Sequence, residues 1–248
     1  MKPLLLSLIL SAGAAAQAVT PLAFEVASVK PSKPGTRGTQ LSTDPGRLTV
    51  RNMALIGLVR FAYHVNDFQV AGAPAWFRTE RYDIIAKAED AASDEKIKLM
   101  LQTLLAERFK LALHRETREG TTYALVVAKG GPKMKAATED EHAGLEQSSG
   151  GSLTARRVTM SAWANDLQRL TGRPVADETG LTGMYDFSLT WSPDAFQPMN
   201  EKQAAAPVDA TGPTIYTALQ EQLGLKLESR KGAIETLVID HAEKATGN

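Results

Sequence analysis

Ser93 and Lys96 lie three residues apart at the predicted start of a helix. This is the spacing of nucleophile and lysine in penicillin-recognising serine enzymes, where one helical turn brings the amine beside the hydroxyl. The alternative is structural: Ser93 caps the helix, and Asp94 and Glu95 favour the positive end of the helix dipole. The companion Ser-Asp-Asn and Lys-Thr-Gly motifs are absent from the sequence, so the capping interpretation is favoured.

The other side chains with catalytic or metal-binding potential are scattered. The chain has no cysteine, no Gly-x-Ser-x-Gly elbow, no His-Glu-x-x-His pair and no phosphate-binding loop. Its four histidines, none with a histidine partner at ligand spacing, are His64, His114, His142 and His241. We therefore predict no catalytic residue, no metal ligand and no cofactor, and leave the ligand-binding residues unassigned.

Acidic and aromatic residues add little to this search. The run Glu139 to Glu141 is expected to be a solvated stretch of a loop, and Asp83 and Asp186 are expected to be turn or register devices at strand starts. Trp76 lies in a loop, where it either fills the core, the favoured alternative, or offers a binding platform. Trp163 lies on the inward face of a predicted helix.

Three stretches rich in proline, glycine and polar residues divide the chain: Pro31–Gly46, Gly130–Gly151 and Ser192–Gly212. We predict a first α+β domain over residues 19–129, a linker over 130–151, and a second α+β domain over 152–248 that contains the loop 192–212. A mature chain of this length is long enough to form its core without disulfides.

The two halves repeat the same pattern of predicted elements. Each has a strand, an amphipathic helix, a strand that starts with Tyr-Asp, a second helix and two alternating strands read as a local hairpin. The sequence thus predicts an α+β fold of two related β-α-β-β-α-β-β halves, a tandem duplication, with mainly antiparallel sheets and helices on one face. The alternative is a chance likeness of two α+β segments. Phe24–Val29 is expected to be an added edge strand of the first sheet.

The N-terminus has the three parts of a secretory signal peptide. Lys2 supplies the positive charge, residues 4–10 form the apolar core, and Ala16-Gln17-Ala18 is a small-x-small cleavage site. Residues 1–18 are expected to be removed between Ala18 and Val19, with cleavage after Ala16 as the near alternative. An uncleaved anchor is disfavoured because the apolar run is shorter than the roughly 20 residues of a spanning helix.

Charge and hydropathy bound the possible partners. The chain has 28 lysine and arginine residues together, and 28 aspartate and glutamate residues together. Nothing in the sequence therefore indicates the basic surface that a nucleic-acid-binding protein presents. No later stretch has the length of a membrane span, so the mature chain is expected to be soluble and either periplasmic or secreted. Without a cysteine it cannot be a lipoprotein.

Several segments together resemble a large family of secreted proteins of unknown function that is expanded in soil acidobacteria. The resemblance covers the mature chain and is carried by Phe24–Pro31, Gly72–Ile84, Leu101–Leu111, Gly180–Phe187 and Ala218–Glu228. It implies a bacterial source. Related domains attached to membrane-bound metallopeptidase sensors of the β-lactam response imply sensing or binding outside the cytoplasm. The run Ile215–Ile239 is also similar to the short N-terminal domains of secretins and TonB-dependent receptors.

These observations favour a non-catalytic extracytoplasmic module that binds a protein, a peptide or a cell-wall component. A secreted hydrolase with its site between the halves and a structural surface protein are the alternatives. Clustered, buried titratable groups between the halves would favour the enzyme. An exposed sheet edge would favour binding by strand addition.

Overall fold

The computed structural model describes residues 21–138, 143–148, 151–192 and 212–245. The predicted signal peptide with its Ala18–Val19 cleavage site therefore lies outside the described residues. So do Glu139–Glu141, His142 and most of the loop 192–212. None of the described helices is long and apolar enough to cross a membrane.

The first half of the chain builds one helix-backed sheet and one long strand. Its elements, with a 3-10 turn at Asp67–Gln69, are β1 (Val26–Pro31), β2 (Gln40–Asp44), β3 (Arg47–Ala54), α1 (Leu55–Tyr63), β4 (Val70–Ala71), α2 (Trp76–Thr79), β5 (Arg81–Lys87), α3 (Asp94–Phe109) and β6 (Ala112–Val127). The helix predicted from Asp94 is confirmed, and its buried face includes Ile97, Leu101 and Leu105.

The second half follows the same order. Its elements are β7 (Lys135–Ala136), β8 (Gly144–Ser148), β9 (Ser152–Thr159), α4 (Met160–Thr171), β10 (Val175–Asp177), β11 (Met184–Thr190), α5 (Ile215–Ala218), which continues as a π-helical turn over Leu219–Leu223, and β12 (Leu225–His241). Strands β7 and β8 lie inside the range 130–151 that composition predicts as a linker. Both are short and stand at sheet edges, where polar residues and glycine are tolerated.

The described strands form three sheets, and two of them have matching strand orders. The first sheet is ordered β1-β5-β3-β2 and the third β7-β11-β9-β8, with antiparallel neighbours in both. The predicted α+β class with mainly antiparallel sheets is confirmed. The matching order lets positions be compared between halves, counted from Tyr82-Asp83 and Tyr185-Asp186. The duplication itself stays a prediction.

The central sheet joins the halves through two long strands. It is ordered β10-β6-β12-β4, and β6 pairs antiparallel with β12 along nearly its whole length. The local hairpins predicted within 109–127 and 223–239 are therefore wrong. The polar, glycine-containing middle of each segment resembles a turn in sequence, yet Gly120 pairs with Gly232 inside a continuous ribbon. Polar side chains there are tolerated because a two-stranded ribbon exposes both faces to water.

Each long strand contributes to two hydrophobic cores. The first core lies between the first sheet, α1 and α3, and includes Leu237 from the end of β12. The second lies between the third sheet, α4 and α5, and includes Tyr123 and Leu125 from the end of β6. Both of the predicted domains thus supply a strand to the other's core, so burial of apolar surface in each core also joins the halves.

One aspartate holds a bulge in each outer sheet. The Asp83 carboxylate accepts hydrogen bonds from the Asn52 amide at 2.8 Å and the Ser32 hydroxyl at 2.7 Å. Asp186 accepts from the Arg157 amide at 2.7 Å. Asn52 and Arg157 both have a φ of 51°, a left-handed conformation that places these amides toward the carboxylates. This geometry is the register device that the Tyr-Asp strand starts predict.

Candidate functional site

The outer edge of β11 is covered over less of its length than the matching edge of β5. Strand β1 pairs with β5 over six positions, from Tyr82 to Lys87. In the third sheet, β7 pairs with β11 only at Tyr185 and Asp186. Residues 187–190 of β11 therefore have no β7 partner, where the first sheet has four residues of β1.

Hydrogen bonds identify which backbone groups of β11 point to this edge. The Met184 carbonyl accepts from the Ala137 amide, and Thr190 bonds a side chain on the same side of the strand. Because backbone groups alternate in direction along a strand, Asp186 and Ser188 also point there. Asp186 is covered by Lys135 of β7. No hydrogen bond from the described part of the chain reaches the edge side of the Ser188 backbone.

The Gln222 side chain pairs with Thr190 as a strand residue would. Its carbonyl oxygen Oε1 accepts from the Thr190 amide at 3.0 Å, and its Nε2 donates to the Thr190 carbonyl at 2.8 Å. The matching residue of β5 is Lys87, which pairs with the backbone of Val26. The carboxamide of Gln222 thus takes the place of one residue of a neighbouring strand.

Local contacts turn residues 131–133 away from β11. Gly224 ends the π-helical turn with a φ of 66°, and a Cβ there would lie 2.0 Å from the Gly131 carbonyl oxygen. The Lys133 amide donates to the Leu223 carbonyl at 2.9 Å, so it does not pair with β11. Pro132 has no amide hydrogen to give to a sheet. The sequence of this segment therefore prevents a full-length edge strand.

The gap opens into a cavity of about 450 Å³. Its lining includes the Ser188 and Gln222 positions, the adaptable side chain of Met134, and the cationic side chains of Lys133, Lys135 and Arg156. Asp186 is the carboxylate among the lining residues, and it already accepts the bulge amide. The Lys133 ammonium donates to the Glu221 carbonyl at 2.7 Å. The cavity thus combines an unpaired strand edge with an excess of positive charge.

The serine and lysine considered as a catalytic pair lie elsewhere, on the surface at the start of α3. Ser93 occupies the N-cap position with extended backbone, but its side chain makes no capping hydrogen bond. Both Ser93 and Lys96 are exposed, and no hydrogen bond joins their side chains. The structure therefore gives this pair no base and no enclosed site.

None of the described histidines lines the cavity beside β11. His64 is the left-handed residue that ends α1. His114 on β6 lies 2.9 Å from the Asp240 carboxylate, and His241 at the end of β12 lies 3.2 Å from Glu243. Within the described ranges, no group of three or more metal-binding side chains is close enough to hold a metal ion.

The two tryptophans singled out in the sequence differ in burial. Trp163 is fully buried in the second core, as predicted, and its indole nitrogen has no hydrogen-bond partner there. Trp76 opens the short helix α2 and is half-buried against the first core. Its neighbour Phe77 is the fully buried residue of that helix.

The contact region between the halves holds a second cavity, of about 400 Å³. Its charged lining residues are Arg60 and Asp67 near the end of α1 and Arg169 in α4. Asp67 is already paired with Arg78 at 2.8 Å, and Arg169 with Asp166. The acid in this cleft is held by an arginine, which does not favour the hydrolase alternative.

Sequence motifs do not identify the residues that line the cavity beside the open edge. Lys133, Lys135, Arg156, Ser188 and Gln222 belong to no motif, because the feature they share is an unpaired backbone. One signal is present in the sequence: the segment that matches β1 begins Gly131-Pro132, directly after Gly130, and glycine and proline are disfavoured inside a strand.

Comparison with known proteins gives a family. Residues 56–242 match the family model described as a protein of unknown function (DUF3738). The match begins in α1 and ends just after β12, so it includes β11, the π-helical turn and the lysines of β7 and its approach. No curated protein and no solved structure matches the chain.

Proposed function

The chain belongs to the DUF3738 family of proteins of unknown function, and we propose from its own geometry that it is an exported, non-catalytic module that binds an extended segment of a partner protein. The segment adds to the third sheet along the open edge of β11. Its contacts are main-chain hydrogen bonds at Ser188 and Thr190, supplemented by charge. Strand addition of this kind is a common mode of peptide recognition.

One observation carries this proposal: β1 covers six residues of β5, whereas β7 covers two residues of β11. The first sheet shows what a strand in that place looks like. Val29 of β1 is 1% exposed and packs on the first core, and Ser28 pairs with Ile85, the position that matches Ser188. A partner strand at β11 would gain the same kind of pairing.

The charge of the cavity defines the chemistry of the partner. Lys133, Lys135 and Arg156 line it, and none of them forms an ion pair with a described carboxylate. An extended segment with negative charge near the β7 end of the gap would complement these cations. A neutral or cationic segment would leave them unpaired or repel them. The proposed partner is therefore an extended peptide that carries negative charge.

Export is a separate part of the proposal, and it is supported by the pattern of residues 1–18. Mass spectrometry of the protein recovered from a bacterial envelope fraction tests it. The expected mass is that of a chain starting at Val19. Recovery of the full-length chain from the cytoplasm alone would contradict export, and would leave the peptide site untouched.

Nuclear magnetic resonance with amide exchange tests the binding site. The probe is a synthetic peptide with the sequence of residues 25–29, Glu-Val-Ala-Ser-Val, taken from β1. Added to the mature protein, it is expected to slow amide exchange at Ser188 and to shift resonances of residues 186–190. The peptide should not shift resonances of the first sheet, where β1 already occupies the edge of β5.

The matched control is the same peptide with an N-methyl group on its serine. It keeps the side chains and charge but lacks the amide hydrogen that would donate to the Ser188 carbonyl. Weaker binding of the methylated peptide is expected. Equal binding of both peptides, or no protection at Ser188, would overturn strand addition at this edge.

A further inference from the structure

We infer that a cavity at the C-terminal end of α1 binds a small organic carboxylate, whose charged group is held by Arg60. The site is separate from the open edge of β11 and does not depend on the proposed strand addition. Three observations support it: an arginine without a partner, the charges of the lining residues, and the apolar side chains beside them.

The turn that ends α1 shapes this cavity. His64 follows the helix with a φ of 54°, a left-handed conformation that turns the chain back. The Val65 amide then donates to the Arg60 carbonyl at 3.1 Å, which holds the turn beside the last part of the helix. Helix α3 packs on the same part of α1, where Gln102 Nε2 donates to the Ala62 carbonyl at 2.8 Å. Residues of α1, the turn and α3 together line a cavity of about 330 Å³.

Arg60 carries a charge that no described residue neutralises. Its guanidinium makes no hydrogen bond or ion pair within the described ranges, and its Nε is buried. The helix dipole favours a cation in the last turn of α1, but it supplies no acceptor for the Nε–H group. Buried donors normally have an acceptor, because an unpaired one costs free energy. A ligand oxygen in the cavity would supply the acceptor that the protein lacks at this position.

The lining charges place an anion on the α3 side of Arg60. Arg60, His64 and Lys98 line the cavity, and none of its described lining residues is acidic. Lys98 is already paired with Glu95 at 2.7 Å, so Arg60 is the lining cation that needs a counter-charge. The neighbouring cavity, which Arg60 also lines, contains the Asp67 carboxylate. An anion is therefore favoured on the side of Lys98 and disfavoured beside Asp67.

The chemistry of the arginine and its surroundings defines the ligand. A guanidinium presents its N–H donors in a planar fork that matches the two oxygens of a carboxylate. One carboxylate balances the single unpaired charge of Arg60, whereas a phosphate monoester brings a second negative charge. The side chains of Phe61 and Val65 line the same cavity and offer apolar contact. A volume of about 330 Å³ lies at the lower end of the range for ligand sites, which suits a ligand with one ring.

Benzoate tests the site, with benzamide as the neutral probe of the same shape. Both are titrated on the mature protein by nuclear magnetic resonance, which follows the Arg60 Nε–H signal and the backbone amides of residues 64–66. Benzoate is expected to bind about tenfold more tightly than benzamide and to shift the Nε–H signal, because its carboxylate accepts a charge-assisted hydrogen bond. Acetate lacks the ring and should bind more weakly than benzoate. Phenyl phosphate should also bind more weakly, because its second charge meets a lysine that is already paired.

Arg60→Met removes the guanidinium and keeps a long apolar side chain. It should lower the affinity for benzoate to that for benzamide. The variant should be at least as stable as the wild type, since it removes a buried donor that lacks an acceptor. Arg169→Met is the matched control, because Arg169 lines the neighbouring cavity and is paired with Asp166. It should leave the affinity for benzoate unchanged.

Each measurement has an outcome that would overturn the inference. Equal binding of benzoate and benzamide, or an unshifted Arg60 Nε–H signal, would show that the cavity is not a carboxylate site. So would an affinity for benzoate that survives Arg60→Met or is lost in Arg169→Met. A markedly less stable Arg60→Met variant would show that Arg60 has a partner within the protein. Tighter binding of acetate or of phenyl phosphate than of benzoate would overturn the apolar body or the single charge of the ligand.

Discussion

Replacing Gln222 with alanine is expected to open the β11 edge further and to tighten peptide binding. In the free protein the Gln222 carboxamide makes two hydrogen bonds to the Thr190 backbone, of 3.0 and 2.8 Å. A bound strand that pairs with Thr190 must displace both. The wild-type protein therefore loses these bonds on binding, and the variant does not.

The structure sets the size of this effect. An ordinary hydrogen bond contributes about 0.5–1.5 kcal/mol net, so the pair amounts to about 1–3 kcal/mol. Gln222 is partly exposed, which places the pair in the lower part of that range. If the two Gln222 hydrogen bonds that the peptide displaces contribute about 1.4 kcal/mol, their loss on binding weakens the affinity tenfold. We expect Gln222→Ala to bind the Glu-Val-Ala-Ser-Val peptide about tenfold more tightly, with a free energy of unfolding lowered by about 1 kcal/mol.

Two measurements check this prediction independently. Amide exchange in the free variant should be about tenfold faster at Thr190, because its amide has lost the Gln222 acceptor. Peptide titration then gives the affinity. Gln220→Ala is the matched control, since Gln220 lies exposed on the same π-helical turn and makes no hydrogen bond to a described residue. Unchanged exchange at Thr190 would refute the pairing, and weaker peptide binding would refute the displacement.

Two further substitutions test the geometry around the edge and the bulges. Asp83→Ala should lower the free energy of unfolding by about 2 kcal/mol at neutral pH, because it leaves a buried amide without an acceptor. The bulge amide and then the Ser32 hydroxyl hold the pKa of Asp83 below its ordinary value of 3.8. The stabilisation by the Asp83 carboxylate is therefore present above pH 3.8 and is lost as the pH falls through the lower pKa of the folded protein. The free energies of unfolding of the wild type and Asp83→Ala, measured with denaturant, should become equal below that pKa. Gly224→Ala should destabilise more than Gly172→Ala and shift the Ser188 resonance, because its Cβ meets the Gly131 carbonyl whereas Gly172 faces open space. Equal free energies of unfolding for Gly224→Ala and Gly172→Ala would contradict that contact.

The helices and outer strands were predictable because their signals are local. Leu101 and Leu105 recur at helical spacing on α3, and both are fully buried. Trp163 and Leu167 do the same on α4. Each spacing places apolar side chains on one face, and that face then packs on its sheet. The Tyr-Asp strand starts were likewise visible, because one aspartate can hold a bulge within its own sheet.

The central sheet was not predictable by the same reasoning. β6 and β12 pair with each other across the chain, and residues as far apart as Leu113 and Ile239 are partners. Hydrophobic alternation shows that a segment is a strand, but it does not name the strand beside it. For this reason the polar stretch around Gly120 has the sequence pattern of a turn. Only the partner strand explains why that stretch is extended.

The open edge escaped prediction because it depends on what is missing beside a strand. Ser188 is an ordinary serine in an ordinary strand, and its backbone becomes available because the Lys133 amide donates to the Leu223 carbonyl instead. The repeated order of elements makes this visible, since β1 shows the arrangement with a full edge strand. The glycine-proline turn in the second half thus leaves part of the β11 edge unpaired, whereas β1 pairs with the matching part of β5 in the first half. Where two halves share a strand order, their differences are the places to look for a binding site.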